Sequence, residues 1–180
     1  MKASRLPIGI AAITASCLAL AGPMQVSSAS FADGASMPSR HADNTGECGG
    51  QGISPAIAWS GQPPASKSVA ILLSDPDGGN GAGVSHMVAY NIAASRMQFK
   101  EGELAPGAPG VTLGRNVAGD AAYHGMCPPT GDRPHHYVLT VIATDLEPGA
   151  LAPDLNRDQL MAALKGHTLQ SQSVVGRYAR

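Results

Sequence analysis

Three apolar, β-prone runs separated by turn-rich segments leave this chain few alternatives to a sheet-based fold. Residues 68–74 (SVAILLS) are almost unbroken in apolar character, the pattern of a central strand covered on both faces. Residues 85–92 (SHMVAYNI) repeat it. Residues 137–145 (YVLTVIATD) are the longest and most β-prone stretch, with Val138, Leu139, Val141 and Ile142 beside two threonines. Shorter strands are expected over 56–60 (AIAWS), near Phe31 and over 173–178. One helix is legible: Asn156 is a cap with Gln159 three residues on, Leu160, Met161, Ala163 and Leu164 supply an apolar face, and Gly166 stops it. No alternation of helix with strand supports a doubly wound sheet. The expected fold class is mainly β, one domain over 30–180 with a short C-terminal helix, and 180 residues are enough for one real core.

The N-terminus reads as an export signal. Lys2 and Arg5 precede an uncharged apolar stretch over 6–21, and Ala19-Leu20-Ala21 offers a small-x-small cleavage site, with Ser27-Ser28-Ala29 as a second candidate. A retained membrane anchor competes poorly, because Pro7, Gly9 and Gly22-Pro23 leave the run short for a bilayer. A lipid anchor at Cys17 lacks the usual preceding leucine. Cleavage after Ala21 removes two positive charges and takes the formal net charge from −1 to −3. A mildly acidic mature chain argues against nonspecific nucleic-acid or membrane-surface binding. A periplasmic or secreted location follows, with no stable membrane anchor after cleavage. Cys17 leaves with the signal, so Cys48 and Cys127 remain. An even pair in an oxidising compartment reads as one disulfide, the rival being two separate thiols.

Between 22 and 52 the chain is rich in Ser, Ala and Gly and resembles a loose lead. Between 93 and 134 glycine and proline punctuate the chain and no long helix or strand is expected. A loop of that length in a compact domain is usually functional or disordered.

Two segments carry the chemistry. Ser74-Asp75-Pro76-Asp77, followed by Ser85-His86-Met87, and the run from Cys127 to Tyr137 (CPPTGDRPHHY) each join a turn to a strand. Loops at strand ends present polar groups. In that arrangement His86 and His135 supply donors, Asp75 and Asp77 orient them, Tyr137 adds a hydroxyl, and the turn Gly125-Met126-Cys127 could offer backbone N–H groups to an anion. A plainer reading makes Asp75-Pro76-Asp77 a turn and His86 a satisfied core histidine. His135 and His136, adjacent on a strand, should face opposite ways.

The residues Ser54-Pro55 to Trp59, Asp75-Pro76-Asp77, His86, Asn91-Ile92, Cys127-Pro128-Pro129, Gly131-Asp132 and Pro134-His135-His136-Tyr137 resemble the phosphatidylethanolamine-binding protein family, in its bacterial Raf-kinase-inhibitor-like branch. The resemblance runs from about Cys48 to Arg180. It implies a large central β-sheet packed on a smaller one, and an anion-binding pocket at one end of the sheet. By that resemblance the ligand-binding residues are Asp75, Asp77, His86, Gly125, Cys127, His135 and Tyr137. Val84, Ser85 and Met87 stand where aromatics are usual, His136 where an arginine is, Met126 for a proline and His124 for a glycine. The leading expectation is a secreted protein that binds a small anionic or phosphorylated ligand, with modulation of a protein partner as an additional role, without catalysis or cofactor. A metal-dependent hydrolase using Asp75, Asp77, His86, His135 and His136 competes with it, as does a protease or kinase inhibitor.

Overall fold

The computed structural model describes residues 22–180. The predicted signal segment, including Cys17, lies outside the described residues. Strands β1 (Gln25–Ser27), β2 (Ile57–Ser60) and β5 (Gln98–Phe99) form a small sheet in the order β1-β2-β5. Strands β3 (Ser68–Asp75), β4 (Val84–Ala93), β6 (Thr112–Gly114), β7 (His135–Thr144) and β8 (Thr168–Tyr178) form a larger one in the order β6-β4-β3-β7-β8, every pairing antiparallel. Helix α1 (Arg157–Ala163) connects β7 to β8. Its Asn156 side chain accepts from the Gln159 N–H, and the Gln159 side chain accepts from the Asn156 N–H, so the expected capping box is present.

The unbroken apolar run of β3 follows from its position. Val69, Ile71 and Leu73 enter a core shared with Ile57, Trp59 and Phe99 of the small sheet, together with Met87, Ala89, Leu139 and Val141. Ala70 and Leu72 alternate to the other face, where Val88, Tyr90 and Ile142 meet Leu160 and Leu164. A strand covered by a sheet on one side and a helix on the other has no solvent face to mark with polar residues.

Two expectations are corrected. No strand forms at Phe31, which packs into the core as irregular chain while the first strand lies earlier, at Gln25–Ser27. The 22–52 lead is not loose. Met24, Met37, His41 and Ala42 are buried, Gly34 and Met37 donate to carbonyls of β8, and Arg40 and Ser30 both hold Glu101. Glu101 is thereby held down at about 2, chiefly by the Arg40 hydrogen bonds. Small residues in this lead mark close approach rather than freedom. At Gly50 a Cβ would sit 2.0 Å from the Ala42 carbonyl oxygen.

Candidate functional site

Antiparallel pairing brings the end of β3 and the starts of β4 and β7 to one end of the large sheet, and there the two polar segments converge. Asp75, the last residue of β3, points to the same face as Val69, Ile71 and Leu73. Its Oδ1 accepts the N–H groups of Asp77 (2.9 Å) and Gly78 (3.0 Å), so the plain turn reading holds for that oxygen. Its Oδ2 accepts from His135 Nδ1 at 2.8 Å and lies 4.0 Å from His86 Nε2. His86 and His135 therefore share one carboxylate. All three residues are more than nine-tenths buried.

His86 reaches this face through a fault in the ladder. Leu73 pairs with Met87 but Ser74 pairs with Ser85, so His86 is an extra residue with no partner on β3. Strict alternation would place it with Val88 and Tyr90 on the helix-covered face. The bulge re-aims it against Tyr137, ring centroids 5.2 Å apart and edge-on. The long loop then pairs with the bulged strand: Val117 donates to the Ser85 carbonyl and His124 to that of His86. His86 Nδ1 lies 2.9 Å from the His124 carbonyl oxygen. A carbonyl can only accept, so Nδ1 carries the proton and Nε2 of the neutral ring is an acceptor. Among the described residues, His86 Nε2 and Tyr137 Oη are buried without a hydrogen-bond partner in the protein.

These groups line a cleft of about 210 Å³ with Gly78, Val84, His124, Gly125, Cys127 and Pro128. Cys127 is bonded to Cys48 across 79 residues of chain, Cα to Cα 5.3 Å, so the disulfide pins the lead to the cleft wall. A larger neighbouring cleft of about 450 Å³, lined by Arg115 and Arg157 among others, shares Asp75, Val84 and Val117 with it.

The family model for phosphatidylethanolamine-binding protein matches residues 27–179. The chain belongs to that family. It is 33% identical over 162 residues to the UPF0098 protein YbcL of Escherichia coli, covering 87% of this chain and 85% of the relative. A UPF0098 protein of Aquifex aeolicus is 32% identical, with 87% and 89% covered. The crystal structure of E. coli YbcL, called a new member of the mammalian PEBP family, superposes with a TM-score of 0.81 at 28% identity, covering 88% of this chain and 99% of that one. The homologue CT736 of Chlamydia trachomatis gives 0.75 at 26% identity, with 88% and 98% covered.

Six of the seven residues that the family resemblance assigns to the ligand line the cleft: Asp75, His86, Gly125, Cys127, His135 and Tyr137. Asp77 does not. Two residues beyond Asp75 the chain has turned outward, and Asp77 Oδ2 accepts from His136 N (2.7 Å) and Nδ1 (2.9 Å) on the solvent side. The Asp75–His135 and Asp77–His136 pairs thus sit on opposite sides of β7, and the five-residue metal set is split between them. Among the described residues no group of three His, Cys, Asp or Glu side chains is arranged to hold a metal ion. Gly125 lines the cleft, but its N–H donates to Asp43 Oδ2 (3.3 Å) and that of Met126 to the His41 carbonyl, so this turn offers neither donor to an anion. Gly125 is required for space instead: a Cβ there would lie 2.2 Å from Asp43 N.

Asp43 and His124 were not among the sequence candidates. His124 stacks on His86 at 5.8 Å, with Nδ1 3.5 Å from Asp43 Oδ2. The only signal in the sequence was His124 standing where the family usually has glycine.

The two cleft histidines are driven apart electrostatically. Burial lowers the pKa of His86 and outweighs the His124 carbonyl and the Asp75 charge, which favour the cation. Burial opposes the His135 charge too, but the hydrogen bond and charge of Asp75 overcome it and the pKa rises. The sign of the pH dependence follows. The His135 contribution to stability is complete below about 6.5, the unfolded value, and is lost as pH rises through the higher folded value. The His86 contribution runs oppositely: it is present above about 6.5 and lost as pH falls towards the lower folded value. An NMR titration should show His135 titrating above, and His86 below, a free histidine. Both midpoints falling together would show that Asp75 does not separate them.

Proposed function

We propose that the protein is an exported, non-catalytic binder of a small phosphorylated ligand, held in the cleft between β3, β4 and β7. The observation that carries this reading is the unpaired buried pair, His86 Nε2 and Tyr137 Oη, beside a His135 that Asp75 biases toward its cation. Leaving such groups unpaired costs roughly 1–3 kcal/mol each, and a ligand that pairs them recovers it. Burial, with the Asp75 charge next, pushes the Tyr137 hydroxyl far above its ordinary pKa, so it remains a donor. The phosphatidylethanolamine-binding family membership supports ligand binding. The Cys48–Cys127 bond supports an oxidising compartment, hence a periplasmic or secreted protein. Strand β1 pairs with β2 and Met24 is buried, which favours cleavage after Ala21 over Ala29, since the later cut would remove both.

Thermal shift and calorimetry with methyl phosphate test the reading. Binding to the native state should raise the melting temperature of the wild type. His135→Ala and Tyr137→Phe should abolish the shift, while His136→Ala, which changes the outer pair only, should retain it. A shift that survives both inner variants would place the ligand elsewhere.

A further inference from the structure

The cleft contains two acceptors 4.0 Å apart, Asp75 Oδ2 and His86 Nε2, with the Tyr137 hydroxyl as the neighbouring donor. Asp75 Oδ2 already takes one proton from His135, and 4.0 Å away His86 Nε2 presents its lone pair because Nδ1 is committed to the His124 carbonyl. A fully deprotonated phosphate or a sulfate oxygen placed there meets two lone pairs and a negative charge. An oxygen bearing a proton reaches either acceptor at ordinary hydrogen-bond length. We propose that the cleft selects the monoprotonated form of a phosphomonoester, the P–O–H donating to the Asp75–His86 acceptor pair while Tyr137 Oη and His135 serve the unprotonated oxygens. This rests on the phosphorylated-ligand reading above and specifies its chemical form.

The surroundings of His86 keep it an acceptor. Asp75 faces it from β3, His135 and Tyr137 from β7, and His124 from the long loop, backed by Asp43 of the lead and by Tyr123, whose hydroxyl is committed to the His41 carbonyl. The His124 carbonyl and the Asp75 charge favour a proton on the ring, the Asp75 charge is already engaged by His135, and burial at β4 prevails against both.

The test compares methyl phosphate with methyl sulfate by calorimetry on the purified full-length mature protein. At pH 5 both probes are monoanions of nearly the same size, and they differ by the single O–H, because a phosphomonoester loses its second proton near pH 6. Methyl phosphate should bind about tenfold or more tightly than methyl sulfate at pH 5, the value of a hydrogen bond to a charged group. The ratio should fall toward one by pH 8, where the phosphate is a dianion. Methyl sulfate is the internal reference, since its own protonation is constant and its affinity follows only the charge state of the cleft histidines. His86→Asn keeps a donor toward the His124 carbonyl and removes the Nε2 acceptor, and should shrink the ratio at pH 5. Equal affinities at pH 5, a ratio constant to pH 8, or selectivity unchanged in His86→Asn overturns the proposal. Binding of both probes with no selectivity leaves the phosphorylated-ligand reading standing and removes only this one. Binding of neither, or of methylammonium instead, removes both.

Discussion

Asp75→Ala should be the most damaging single substitution at the cleft, lowering stability by roughly 3–5 kcal/mol and abolishing ligand binding. Three donors lose their acceptor at once: the N–H groups of Asp77 and Gly78 on Oδ1, and His135 Nδ1 on Oδ2. Each stranded group costs roughly 1–3 kcal/mol, the two turn amides less than the buried ring because the turn can open to water. Denaturant unfolding measures the loss. Asp75→Asn separates the two roles. Its amide oxygen can still take the turn N–H groups, so about 1 kcal/mol or less should be lost. His135 loses the carboxylate that favours its cation, so its NMR midpoint should drop below that of free histidine and affinity for methyl phosphate should fall with it. If Asp75→Ala costs no more than a typical surface change, within about 0.5 kcal/mol, Asp75 does not organise the cleft.

Reducing the Cys48–Cys127 bond should lower the melting temperature by roughly 5–15 °C, corresponding to about 2–5 kcal/mol for a chain of this size. The bond closes 79 residues, among them β2, β3, β4 and the long loop, so the unfolded chain gains much freedom on its loss. The effect should also reach the ligand. Cys127 lines the cleft, and its neighbours Gly125 and Met126 are the residues bonded to the lead at Asp43 and His41. A Cys48→Ala/Cys127→Ala protein should therefore bind methyl phosphate more weakly even where it remains folded. Intact-mass measurement after alkylation of unreduced protein checks the pairing. Two alkylated thiols in protein taken from an oxidising compartment, or a melting temperature indifferent to reductant, would be incompatible with this role.

The small-residue lead shows where local reading reaches its limit. Ser, Ala and Gly over 22–52 carry no periodicity and resemble a tail, yet this segment buries Met24, Met37 and His41 and supplies Asp43 to the loop beside the cleft. Its glycines permit backbones to touch, as at Gly50 against Ala42, and that requirement comes from a partner segment that is remote in sequence. Helix α1 was legible for the opposite reason. Its cap and stop lie within a few residues of the helix they bound, so the interaction that specifies it is local.

At the cleft the division has the same physical basis. Sequence alone determined that β3, β4 and β7 are strands, that turns carry Asp75 and the histidine pair at their ends, and that His135 and His136 point opposite ways. Each of these depends on apolar patterning, turn residues or the period of two along a strand. Tertiary structure decided which oxygen serves which imidazole. Asp77 lies only two residues from Asp75 and was grouped with it, but the strand ends between them and the chain turns out to His136. His86, by alternation, belongs on the helix-covered face, and only the bulge opposite Leu73 and Ser74 delivers it to Tyr137 and Asp75. A bulge depends on how two strands pair across the sheet, and turn direction on what packs beneath it, so neither is encoded in the pattern of one strand.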